Sequence, residues 1–201
     1  MSELSTSSER TGPGLAAFEQ LSSVIRARRT SMLVDANRDV PAEVIASLCE
    51  LATWAPNHKK TWPWRFAAFS GDGRARLGYT MAYVMSAAEV GDDAKRTKTR
   101  GKYLRTPSIL VVATAPHDNE MLDVENRDAV AAGIQNLLLG ATTLGLASFW
   151  STPAIASPRA VLELCGFEPN DRIVGIVYLG WADRAATVPE RPPVELRIVD
   201  A

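Results

Sequence analysis

The sequence predicts an α+β fold, in which helices wrap a small mixed sheet of about four or five strands. Two segments, Ser108–Ala115 and Arg172–Trp181, are rich in β-branched residues and almost wholly apolar, which is typical of central strands. Between them, the pattern over Asn119–Leu146 is helical, and its middle is nearly uncharged and rich in Ala, Gly and Leu. A helix that is apolar on all sides is buried, so these three segments predict a helix packed on a sheet.

The remaining elements follow from hydrophobic spacing and end signals. Apolar residues at helical spacing predict helices over Leu15–Arg29, Ala42–Trp54 and Arg74–Val90, and a shorter helix over Pro158–Cys165. Alternation predicts further strands over Trp64–Ser70 and Ala147–Ser151. We expect the last helix to have Ser157 as its N-cap, Pro158 at its first position and Gly166 at its end.

Composition predicts one domain with an extension at each end. The 201 residues fit a single domain, and the 46% hydrophobic and 22% charged residues are ordinary for a globular protein. Residues 1–14 are rich in Ser, Thr, Glu, Gly and Pro, which predicts a disordered tail before a domain over residues 15–186. Residues 187–201 combine three prolines with an alternating segment, Val194–Val199. We expect them to form a C-terminal arm that pairs with a sheet edge, either of the same subunit or of a partner subunit.

Charge and residue usage exclude several classes of partner. The net charge of -1 argues against a nucleic-acid partner, and no apolar run is long enough to span a bilayer. The amino-terminal residues lack the apolar core of a signal peptide, so we expect a cytoplasmic protein with no membrane partner. Cys49 and Cys165 are expected as free thiols in apolar helices. The two histidines, His58 and His117, stand without a Cys or carboxylate cluster, so no metal site is predicted.

Two segments carry the chemistry. The connection Ala55–Phe66 joins a helical pattern to a strand pattern, and it crowds aromatic surface beside positive charge, which suits a planar anionic ligand. Upstream, Arg28-Arg29-Thr30-Ser31 ends the first helical pattern with two guanidiniums and two hydroxyls, a grouping that suits a phosphate. Together the segments predict a ring-bearing, phosphorylated cofactor.

Three motifs, in order, resemble those of the flavin-dependent nitroreductase family, and the resemblance covers about residues 18–181. Arg28–Thr30 matches the family's Arg-Arg-Ser, and Ala55–Phe66 matches its Ala-Pro-(Ser/Asp)-His-Lys…Gln-Pro-Trp-x-Phe loop. Ala132–Leu139, followed by Leu144–Trp150, matches its central helix and the next strand. The resemblance implies an intertwined homodimer with two FMN sites at the interface. It also implies ping-pong chemistry, in which NADH or NADPH gives hydride to flavin N5 and a nitroaromatic, quinone or other unsaturated acceptor takes the electrons.

The resemblance also implies a set of cofactor-binding residues, while flavin N5 rather than a side chain carries the chemistry. The guanidiniums would hold the phosphate, His58 would lie beside a flavin across the dimer, and Lys60 would stabilise charge on the reduced ring. Aromatic side chains would pack on the cofactor, and backbone amides after the third strand would bond its ring edge. The predicted residues are Arg28, Arg29, Thr30, Trp54, His58, Lys60, Trp62, Phe149, Trp150, Ser151 and Thr152.

Departures from the family pattern keep other interpretations open. Met32 and Leu33 stand where the family often has a further Arg, and Lys60 and Trp62 replace a commonly polar Asn and Gln. A protein that binds or sequesters FMN without turnover is therefore an alternative, as is a flavin reaction other than nitro reduction. The basic run over residues 95–105 is either a solvated face or a mobile lid that attracts the phosphates of NAD(P)H.

Overall fold

A computed structural model of the chain describes residues 14–153, Ile155 and residues 157–199. This part contains six α-helices and four β-strands, in the order α1-α2-β1-α3-α4-β2-α5-β3-α6-β4. The helices are α1 (Leu15–Ala27), α2 (Ala42–Thr53), α3 (Asp72–Ala87), α4 (Asp93–Lys102), α5 (Glu120–Thr143) and α6 (Arg159–Cys165). The strands are β1 (Trp64–Phe69), β2 (Ser108–Thr114), β3 (Leu146–Ser151) and β4 (Arg172–Trp181).

The four strands form one sheet in the order β1-β2-β4-β3, and each of these pairings is antiparallel. The predicted central strands are confirmed, because β2 is buried along its whole length and β4 is buried over most of it. A parallel contact is supplied by an isolated bridge between Thr30 and Ser148 of β3. The predicted α+β class is therefore observed.

Helices cover both faces of the sheet, and each face has its own apolar core. Helices α2 and α5 lie on one face, where Leu48 and Ile134 are fully buried. The predicted central helix is confirmed as α5. It approaches α2 closely at Gly133, where a methyl group would lie 2.5 Å from the carbonyl oxygen of Ala52. On the other face α3 and α6 pack with the buried rings of Tyr103 and Tyr178.

Two local features differ from the sequence prediction. Helix α4 was not predicted, and it consists mainly of the basic run, with the Asp92 side chain accepting the Lys95 N–H at its start. Ser157 does not cap α6, so that prediction is wrong. Its backbone is left-handed (φ 43°), and its hydroxyl instead accepts the N–H of Ile173 in β4. Gly166 ends α6 in the left-handed conformation, as predicted.

The structure describes most of the predicted C-terminal arm but almost none of the predicted amino-terminal tail. The tail over residues 1–14 lies outside the described residues except for Gly14. Residues 187–199 form neither helix nor strand, and all are exposed. In the part of the chain that the structure describes, none of the helices has the length and apolar character needed to cross a bilayer.

Candidate functional site

The carboxyl end of α1 carries the predicted pair of guanidiniums. Arg28 is the C-cap of the helix, and Arg29 folds back so that its Nη1 donates to the carbonyl oxygens of Arg26 and Arg28, at 2.5 and 2.7 Å. A cation at this end satisfies carbonyls that lack helical partners. The Nε of Arg29 is buried and has no hydrogen-bond partner among the described residues. Arg29 therefore caps α1 and retains an unused donor.

Four arginines line a cavity of about 440 Å³, which we call the guanidinium cavity. Its polar lining comes from three arginines of the α1 end, from Gln135 of α5 and from Arg191 of the C-terminal segment, and none of the carboxylates that the structure describes lines it. Sequence reasoning missed Arg26, Gln135 and Arg191. Their spacing carries no signal, because only the folded chain brings residues 26 and 191 together. Four cations without a counter-charge make a site for an anion such as phosphate.

The segment after α1 runs alongside β3. Thr30 bridges Ser148, and the Ser31 N–H donates to the Ser148 carbonyl oxygen at 2.9 Å. The structure therefore brings Arg28–Thr30 next to the strand that contains Phe149, Trp150 and Ser151. Thr152 follows that strand and is exposed.

The side chains of β3 point in different directions. The Phe149 ring packs against Tyr178 in the core, at 5.6 Å between centroids, so its side chain is not free to cover a cofactor. The Trp150 indole is 37% exposed and lies across Gly175, where a methyl group would come within 2.0 Å of its Nε1. The absence of a side chain at Gly175 thus sets the position of Trp150.

The connection between α2 and β1 exposes the other predicted groups. Lys60 and Trp62 are both exposed, and both have left-handed backbones, with φ of 53° and 51°. The His58 Nδ1 lies 2.7 Å from the Glu125 carboxylate of α5. Trp54, at the end of α2, is 76% exposed and donates its indole N–H to Glu50. This surface offers aromatic area and positive charge, as the sequence predicts.

The guanidinium cavity and the exposed loop lie at successive positions along one face of α5. The cavity touches Gln135, whereas a second concavity beside His58 is lined by Glu125, Asp128 and Ala132. These α5 residues follow a spacing of three or four and so share a face. Over ten residues an α-helix rises about 15 Å, so the two groups line separate concavities of one chain.

Other reactive side chains are held protonated. Burial raises the pKa of Cys49 to about 11, of Cys165 to about 12 and of Tyr103 to about 12. These thiols and this phenol are therefore neutral at pH 7 and are poor nucleophiles or bases. Among the described residues, no group of three His, Cys, Asp or Glu side chains is arranged to hold a metal ion.

Comparison with known proteins decides the family. The sequence profile of the nitroreductase family matches residues 25–181. The chain belongs to the nitroreductase family. YfhC of Bacillus subtilis, whose name describes it as a provisional NAD(P)H nitroreductase, is 31% identical over 182 residues, which are 90% of this chain and 93% of that protein. The family predicted from the three motifs is confirmed.

Solved structures show the same fold. A nitroreductase-like family protein from Bacillus cereus superposes with a TM-score of 0.77 at 28% identity, over 90% of this chain and 96% of that chain. A nitroreductase from Bacteroides fragilis, solved with bound FMN, has a TM-score of 0.69 at 23% identity and covers 90% of this chain and 99% of its own. The nitroreductase-like fold predicted from the sequence is confirmed.

Proposed function

We propose that this nitroreductase-family chain is an FMN-dependent NAD(P)H oxidoreductase that reduces a nitroaromatic, quinone or other unsaturated acceptor. When bound, FMN supplies hydride acceptance and donation at N5. The single observation that carries the proposal is the cavity that four arginines line and that, among the described residues, no carboxylate lines. That donor set fits a phosphate, and the names of the relatives agree with this cofactor and with this hydride donor.

Within the cavity, Arg28 is the main phosphate ligand and Arg29 supports it. Among the described residues, the Arg28 guanidinium makes no hydrogen bond or ion pair, so all its donors are available. Arg29 already donates to two carbonyl oxygens of the α1 end, and its buried Nε remains for an anion. Arg26, Arg191 and Gln135 complete the lining. Thr30 contributes its hydroxyl from the segment beside β3.

The exposed loop and the end of β3 hold the ring. Lys60 would supply a cation near the negative charge of the reduced flavin, and the exposed rings of Trp62 and Trp54 would supply flat apolar surface. The backbone of Phe149–Thr152 offers amide donors to the ring edge. His58 approaches the ring of the neighbouring subunit.

The proposal includes a homodimer, because α1 has no core of its own. None of its residues is buried, and an apolar stripe faces outward: Leu15 is 73% exposed, Phe18 66%, Leu21 53% and Ile25 47%. A 13-residue helix is marginal in water without packing. A second copy of the chain covers this stripe. In this dimer, the guanidinium cavity of one subunit and the loop before β1 of the other subunit would bind the same FMN.

The C-terminal arm completes the dimer. Its alternating residues Val194, Leu196 and Ile198 are 88, 77 and 75% exposed. Strand β1 lies at the edge of the sheet, beside an apolar groove of about 380 Å³ that reaches α2. In this proposal residues 15–186 form the FMN-binding domain, and residues 187–201 add to the partner's β1 edge, where strand pairing supplies hydrogen bonds.

Anaerobic spectroscopy tests the proposed reaction. The purified chain is loaded with FMN, and NADH or NADPH is added without oxygen. We expect the yellow absorption of oxidised flavin to bleach, and we expect an added quinone or nitroaromatic to restore it. Flavin that stays bound and oxidised with both nicotinamides would favour the sequestering protein instead.

A panel of acceptors, added after stoichiometric reduction, separates the reaction types. Reoxidation by enones but not by quinones or nitroaromatics would assign a different flavin reaction to the same site.

A further inference from the structure

The loop before β1 holds three residues in an unusual conformation. Lys59, Lys60 and Trp62 have φ of 58, 53 and 51°, and none of them is glycine. A left-handed backbone is unfavourable for a residue with a Cβ and persists only where its surroundings impose it. All three side chains are exposed, so core packing does not impose it here.

A chain of hydrogen bonds ties this loop to α5. The Asn57 Oδ1 accepts the Trp62 N–H at 2.9 Å, and the Asn57 Nδ2 donates to the Thr61 Oγ1 at 2.9 Å. The Thr61 hydroxyl in turn donates to the Asn126 Oδ1, and the Asn126 Nδ2 donates to the Ala115 carbonyl oxygen at 3.3 Å. Each group donates in the same direction, which lets the bonds reinforce one another.

Thr61 is the junction of this chain. Its one hydroxyl accepts from Asn57 and donates to Asn126, and a hydroxyl has only one proton to give. Asn126 is 2% exposed, so its oxygen has no access to solvent if the hydroxyl is removed. The neighbouring contact of His58 with Glu125 is exposed and holds the loop less strongly.

We propose that Thr61 is a positioning residue that, through Asn57 and Asn126, fixes Lys60 and Trp62 against the FMN ring. This inference rests on the proposed function. Without the hydroxyl, the loop relaxes toward ordinary backbone angles and the Lys60 ammonium leaves its place. The guanidinium cavity lies elsewhere on α5 and keeps its hold on the phosphate.

The substitution Thr61→Val tests the inference, because valine keeps the branched shape and lacks only the hydroxyl. In FMN-free protein we expect exchange of the Trp62 amide hydrogen to rise at least about tenfold, since one hydrogen bond is comparable to a tenfold change in an equilibrium. In FMN-loaded protein we expect the flavin midpoint potential to become more negative and the rate of reduction by NAD(P)H to fall about tenfold. Thr61→Ser keeps the hydroxyl and should stay within about twofold of the natural protein in both measurements.

A second variant covers the case in which Thr61→Val does not fold. Asn57→Ala breaks the same chain at its half-buried end and should shift exchange, potential and rate in the same direction. FMN-loaded Thr61→Val, or Asn57→Ala in its place, with unchanged potential and rate would overturn the inference while leaving the proposed function intact. A natural protein that takes up no FMN, or whose FMN no nicotinamide reduces, would overturn both.

Discussion

Truncation of Arg28 to alanine should weaken FMN binding without harming the fold. Among the described residues, its guanidinium makes no hydrogen bond or ion pair, so the substitution removes no polar contact that stabilises the domain. A charge-assisted hydrogen bond is worth about 1.5 to 3 kcal/mol, which corresponds to a loss of about tenfold to a hundredfold in affinity. Three other guanidiniums remain in the cavity, so binding should weaken rather than disappear.

The assay is a fluorescence titration of the flavin-free protein with FMN and, in parallel, with riboflavin. Riboflavin lacks the phosphate, so Arg28→Ala should lower affinity for FMN and leave affinity for riboflavin unchanged. Arg159→Ala is a charge-matched control, because its guanidinium pairs with Glu163 on α6 and does not line the cavity. Equal FMN affinity in Arg28→Ala and the natural protein, or an equal loss for both flavins, would refute the assignment.

Arg29→Ala should behave differently from Arg28→Ala. It removes two hydrogen bonds to the end of α1, so we expect a loss of about 1 kcal/mol in the free energy of unfolding together with weaker FMN binding. Urea denaturation of the flavin-free proteins measures the difference. Equal stability of the two variants would argue against the capping role.

Four further predictions concern the rest of the molecule. Gly133→Ala would place a methyl group 2.5 Å from the Ala52 carbonyl oxygen, so it should cost about 1–3 kcal/mol in urea denaturation; unchanged stability would contradict the close packing of α2 and α5. Burial raises the pKa of Cys165 from 9.0 to about 12, so the folded chain keeps a proton that the unfolded chain loses, and the free energy of unfolding should fall as pH rises above about 9. A free energy of unfolding that does not change with pH above about 9 would contradict this prediction. Phe18→Asp should shift light-scattering mass toward the monomer, because Phe18 is 66% exposed in the single chain; an intact dimer would exclude α1 from the interface. Neutralising Lys98 and Arg100 on α4 should raise KM for the nicotinamide at low salt with FMN content unchanged, and an unaffected KM would leave the basic run as a solvated face.

The sequence predicts the elements whose stability comes from their own apolar pattern. Strands β2 and β4 are buried along most of their length, and helix α5 buries one face, so their apolar residues are direct evidence of their place in the core. Helix α4 has no such pattern, since of its ten residues only Thr99 is buried. Its position depends on close packing against Gly78 of α3. A methyl group added at Gly78 would lie 2.2 Å from the Arg100 carbonyl oxygen of α4.

The candidate site could be predicted only in its continuous parts. Arg28, Arg29 and the loop around His58 stand in short motifs, and the structure places the arginines and the loop beside separate concavities along one face of α5. Arg191 joins the cavity from a segment about 160 residues away in the chain, a contact that no local pattern encodes. The left-handed backbone of Trp62 could not be predicted either, because no glycine marks it and the hydrogen bond that the Trp62 N–H donates to the Asn57 Oδ1 exists only in the folded loop.

We propose that two copies of this nitroreductase-family chain bind FMN, with the phosphate in the guanidinium cavity of one subunit. Native mass spectrometry of the purified protein, incubated with FMN, tests it most directly. The account predicts a species of two chains carrying two FMN molecules. A folded single chain without bound FMN, at FMN concentrations in excess of the protein, would contradict it.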